Sequence, residues 1–127
     1  MSYANRITVQ VTADASGDAT AYTPMIPYGR LSQIRYVKAG TGPYADTVDF
    51  TITSEATGET LWAQSNVTAS ATVAPRQPTH STAGAAALYA SGGTGVLDKI
   101  AIANDRIKIV LAQAGNGGTG TFHFVIE

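Results

Sequence analysis

Asp105-Arg-Ile-Lys-Ile-Val-Leu-Ala-Gln113 and Thr121-Phe-His-Phe-Val-Ile-Glu127 are the two stretches around which the rest of the chain is organised. In the first, Ile107, Ile109 and Leu111 fall on one face, while Arg106, Lys108 and Val110 fall on the other. In the second, Phe122, Phe124 and Ile126 alternate with His123, Val125 and Glu127. Alternation with period two is what a half-buried strand requires, because successive side chains leave opposite sides of the pleat. Ala114-Gly-Asn-Gly-Gly-Thr-Gly120 lies between them and suits a loop far better than a helix or a strand. The expectation is an antiparallel ribbon that pools six large apolar side chains on one face, the largest block of core in the chain.

The same pattern recurs upstream. Asn5–Thr12 alternates with Ile7, Val9 and Val11 inward, and Ala13–Asp18 is a turn rich in Asp and Gly. Ala19–Ile26 is a weaker strand ended by Pro24 and Pro27. Gly29–Lys38 is a third strand, in which Leu31 is out of phase with Ile34 and Tyr36; this predicts a bulge near Ser32. Asp46–Ser54 buries Val48, Phe50 and Ile52. Glu55–Glu59 turns the chain back, with Gly58 in the left-handed position. Thr60–Ser65, a short Ser70–Ala74 and Leu97–Ala103 complete the set, and Asn104-Asp105 turns into the ribbon. Eight or nine short strands without a convincing helix predict an all-β antiparallel sandwich as a single domain over residues 1–127. A jelly roll is the first choice. An immunoglobulin-like sandwich comes second, since its Cys…Trp…Cys signature is missing.

Pro75–Gly95 breaks the pattern, leaving about twenty residues without strand alternation, a length that compact domains rarely leave idle. Ala85–Ala90 is expected to form at most a short helical turn between Gly84 and Gly92. The stretch has one charged residue, Arg76, and two large side chains, Leu88 and Tyr89, which would be an apolar liability if left exposed. Disordered linkers are usually richer in charge, so the loop is read as an interface arm. Leu88 and Tyr89 are its anchors, and Arg76, Gln77 and His80 are donors for a polar rim. The anchors are to dock on a neighbour or on the chain's own sandwich.

Composition narrows the function. The chain of 127 residues has a net charge of −1, which argues against a phosphate-binding surface and nucleic acid. Charged residues make up 13%, about half the ~25% usual for soluble domains, and charge depletion also marks the cores of protein–protein interfaces. Cysteine is absent, which removes disulfides and thiolate metal sites. Met1-Ser-Tyr-Ala-Asn-Arg runs straight into a strand, so no signal peptide is expected. No apolar run approaches the ~18 residues of a membrane helix.

No constellation points to catalysis, a metal or a cofactor. Gly115-Asn-Gly-Gly-Thr-Gly120 matches a dinucleotide-binding string, but a strand follows it where the phosphate mechanism needs a helix N-terminus. His80 lies among Thr79, Ser81 and Thr82 without a carboxylate nearby in sequence to orient it. His123 alternates outward on the last strand. Asp46 and Asp49 lack calcium-loop spacing. Trp62, with Tyr36 and Tyr44, is read as core first and as a sugar-stacking platform second.

Several stretches resemble a group of small proteins from tailed bacteriophages and prophages. They include Ile34-Arg-Tyr-Val-Lys38, Tyr44–Thr53, Thr60-Leu-Trp62 and Asn66–Thr72. His80–Ala86, Tyr89-Ala-Ser-Gly-Gly93, Asp105–Val110 and Gly120–Val125 complete the likeness, which spans nearly the whole chain from Asn5. The resemblance implies a non-enzymatic virion protein, first of all a capsid cement or decoration protein assembled in the bacterial cytoplasm. Its implied partners are the major capsid protein and further copies of itself, as a dimer or trimer. A carbohydrate-binding or tail-fibre module is the alternative. The resemblance brings no functional residues with it.

Overall fold

The computed structural model describes residues 3–127; Met1 and Ser2, which open the stretch read as lacking a signal peptide, lie outside them. Ten strands follow in order: β1 (Asn5–Thr12), β2 (Ala19–Tyr22), β3 (Ile26–Lys38), β4 (Asp49–Ser54) and β5 (Thr60–Gln64). Then come β6 (Ala71–Val73), β7 (Arg76–Pro78), β8 (Leu97–Asp105), β9 (Ile107–Ala112) and β10 (Thr119–Ile126).

The pairing is nested. β1 lies against β10, β2 against β9, β3 against β8 and β4 against β5, all antiparallel. A long ribbon with this pairing rolls up into two sheets, β1-β10-β3-β8-β7 and β2-β9-β4-β5, which is jelly-roll topology. β6 shares the edge of β3 with β8, pairing Ile34–Tyr36 where β8 pairs Ile26–Leu31.

The C-terminal ribbon differs from its expectation. β9 and β10 do not pair as a hairpin; they belong to opposite sheets, and the glycine-rich loop carries the chain across the sandwich. Gln113 turns the chain at a φ of 56°, and Ala114 is fixed by accepting from the Ala45 amide and donating to the Gly17 carbonyl. The six apolar side chains therefore face one another across the core instead of lying side by side. Ile107, Ile109, Leu111, Phe122 and Phe124 are at most 1% exposed. At about 1.5–3 kcal/mol for each fully buried large apolar side chain, these strands supply a major share of the core.

Aromatic rings join the layers at the centre. Phe50 of β4 meets Tyr36 and Phe122 edge-on, with centroids 4.8 and 5.0 Å apart, and Trp62 at 5.3 Å. Trp62, Tyr36 and Tyr44 are all buried, so the sugar-stacking platform is not available on this surface. Trp62 donates its indole N–H to Gln64, and the Tyr44 hydroxyl donates to the Val11 carbonyl at 2.6 Å.

Other boundaries moved for local reasons. β2 ends at Tyr22, ahead of Pro24, and Ile26 opens β3 instead of closing β2. β4 starts at Asp49 because Val48 donates to Ala45, closing a turn over Asp46 and Thr47; Val48 stays buried all the same. The bulge falls where the phase break placed it: Val125 pairs Gln33 and Ile126 pairs Leu31, which leaves Ser32 unmatched. Gly58 adopts a φ of 73°. Asn104 and Asp105 extend β8 instead of forming a free turn, with Asn104 in the left-handed region.

Candidate functional site

The Pro75–Gly95 stretch is ordered by its own backbone. β7 pairs β8, with Arg76 opposite Lys99 and Gln77 opposite Asp98. Beyond it, three segments close a ring: Thr79 N–H donates to Val96, Val96 N–H to Ala87, and Ala87 N–H to Thr79. The Thr79 hydroxyl reinforces the ring by donating to the Val96 carbonyl at 2.7 Å. Two tight loops project from this ring. In the first, Ser81 N–H donates to Ala85, and the Ser81 hydroxyl accepts from the amides of Ala83 and Ala85. In the second, Tyr89 donates to Thr94 and Gly93 to Ala90. Isolated bridges join His80 to Ala86 and Leu88 to Gly95. The helical turn expected over Ala85–Ala90 does not form; Gly84 and Gly92 take positive φ, which reverses the chain instead of coiling it.

From His80 to Thr94 every residue except Ala87 is exposed. Leu88 is 43% and Tyr89 75% exposed, so neither anchor docks on its own sandwich. The five sequence-derived interface residues divide between two places. Arg76 and Gln77 stand at the base, where the Arg76 guanidinium donates to the carbonyls of Ser32 and Pro75. His80, Leu88 and Tyr89 belong to the projecting loops. Arg76 thus fixes the arm to β3, and the free apolar surface is outside it.

The remaining candidates have structural roles. In the glycine string, a Cβ on Gly118 would meet Tyr44 Cα at 2.9 Å, and one on Gly120 would meet the rings of Tyr44 and Tyr36 at 2.6 and 2.8 Å. Gly118 and Gly120 are there because the chain packs against these tyrosines on its way into β10, while Gly115 and Gly117 take the positive φ of the turn. Asp46 pairs with Lys38, and Asp49 accepts from the Asn66 amide and the Gln113 side chain. His123 lies on the outer face of β10, 3.2 Å from the Thr8 hydroxyl. Among the described residues no cluster of three or more His, Asp or Glu side chains is placed to hold a metal.

Two features escaped the sequence reading. At one end of the sandwich, Asp105 accepts from the Ser54 hydroxyl and from the amides of Ala56 and Arg106, while Arg106 pairs with Glu55 and lies 3.9 Å over the Tyr22 ring. Elsewhere a groove of about 440 Å³ opens between Tyr3, Ile7, Met25, Tyr28 and Ile126. Tyr3, Met25 and Tyr28 are 62–81% exposed. Large side chains around Pro24 and Pro27 were the available signal for that groove.

No family model and no curated protein matches this chain. Among solved structures, a crystal structure of FLHE is similar over 98% of this chain and 96% of its own, at 10% identity and a TM-score of 0.43. A likeness at that level carries no inference about function.

Proposed function

We propose that this protein is a non-enzymatic structural component of a bacteriophage particle, and that it cements the head by binding the major capsid protein through its arm. The observation that carries the reading is the arm itself: ordered by a closed ring of backbone hydrogen bonds, nearly free of charge, and presenting Leu88 and Tyr89 to solvent. Exposed apolar side chains on a preformed loop suit docking, because little conformational entropy is left to lose on binding. The low charge content of the chain supports the same reading. The phage setting and the virion location come from the resemblance of the sequence stretches, and the arm supplies the mode of attachment.

The test is co-sedimentation of purified protein with heads lacking it. Tyr89→Ala and Leu88→Ala are expected to weaken attachment by the order of 2 kcal/mol typical of interface anchors, without changing the circular dichroism spectrum. Arg76→Ala is expected to weaken it less, by loosening the base of the arm. Undiminished binding by both anchor variants would remove the arm from the interface.

A further inference from the structure

We propose that β1 is a self-association edge: two copies pair β1 against β1, antiparallel, about a two-fold axis through Thr8, so that the β1-β10-β3 sheet runs on across both. The inference does not rest on the capsid reading, since it concerns a different surface and a second copy of this chain.

An open sheet edge presents unpaired backbone donors and acceptors, and proteins ordinarily blunt it with shortness, proline, bulges or charge. The other edges here show these devices. β2 has four residues and is followed by Pro24; β5 has five, and its register with β4 slips between Ile52 and Thr53. β6 and β7 have three each, and β7 ends in Pro78. Of them β1 has only one charge. It runs eight residues without proline, in unbroken register with β10, and carries the single charge of Arg6.

Its side chains are self-complementary in the register centred on Thr8. Directly opposed residues of an antiparallel pair must share a face, so only pairings that set odd against odd and even against even are allowed. Of these, the pairing about Thr8 sets Ile7 of each copy opposite Val9 of the other. Both are half-buried in the single chain, whereas Val11 is already buried at 3% and needs no cover. On the outer face the same register sets Arg6 opposite Gln10, so no like charges meet. Pairing about Arg6 would oppose the two guanidinium groups. A two-fold closes the assembly at two copies, which removes the edge instead of propagating it.

The test is the dimer dissociation constant from sedimentation equilibrium of the intact chain and two variants at Gln10, an exposed position. Gln10→Glu sets a carboxylate opposite Arg6 of the partner twice over and is expected to tighten the dimer. Gln10→Arg sets like charges there and is expected to loosen it. Each shift should be roughly two- to thirtyfold for two cross-strand pairs and should shrink in high salt. A chain that stays monomeric throughout overturns the proposal, as does an oligomer whose constant neither variant moves or both move in the same direction. Particle binding by a strictly monomeric protein would sink this inference and leave the arm reading standing.

Discussion

Asp105 is the polar side chain on which the end of the sandwich turns. It is 6% exposed and joins the last residue of β8 to the β4–β5 turn through Ser54 and Ala56. Burial alone would raise its carboxyl, but the Ser54 hydroxyl and the amides of Ala56 and Arg106 outweigh that and hold it below the usual range. Because the folded value lies below the unfolded one of about 3.9, the stabilisation is present above pH ~4 and is lost as pH falls through the folded value. Asp105→Asn should therefore cost on the order of 1–3 kcal/mol at neutral pH. Its chemical-denaturation midpoint should converge on the parent's in acid; a constant gap from pH 7 to pH 2 would contradict this. Gly120 makes the opposite kind of demand. A methyl there enters the Tyr36 and Tyr44 rings, so Gly120→Ala should lower stability by about 1–3 kcal/mol in the same measurement. An unchanged midpoint would mean that the tyrosines have room to move.

At the scale of elements, Trp62 on β5 gives an inexpensive check on the layer contacts. Buried at 7% exposure against Phe50, it should fluoresce at short wavelength and be unmoved by oligosaccharides. A red-shifted spectrum that responds to sugar would restore the platform reading. The strands were legible in the sequence because alternation reports which side chains face inward. It does not report which sheet a strand joins. Phe122 and Ile109 have the same pattern whether they lie side by side or face each other across the core, so the ribbon read equally well as a hairpin. The Ser32 bulge was legible because an extra residue shifts the phase of Leu31, a local signal. That Pro75–Gly95 is an arm was legible from its low charge, but how it is ordered was not, since its order comes from backbone bonds among Thr79, Ala87 and Val96, which leave no periodic trace in side-chain type. Leu88 and Tyr89 stood out only as large residues without a periodic partner. The Ser54–Asp105 link joins residues far apart in sequence, which no local pattern announces.

The whole molecule sets a two-sheet body beside one ordered projection. The nested pairing from β1·β10 inward makes most contacts distant in sequence, so the body is expected to unfold as a unit, while the arm contributes little to that transition. The proposed cementing role would draw on many copies, whose modest contacts reinforce one another on one particle. A cryo-electron microscopy map of the particle proposed to carry this protein is the decisive measurement. The expected map shows a two-layered β body on the outside of the head, with residues 80–94 in contact with the capsid lattice and Tyr89 covered. A map that shows this protein with the arm free in solvent would remove the arm as its means of attachment, and a particle that does not contain the protein would remove the cementing role.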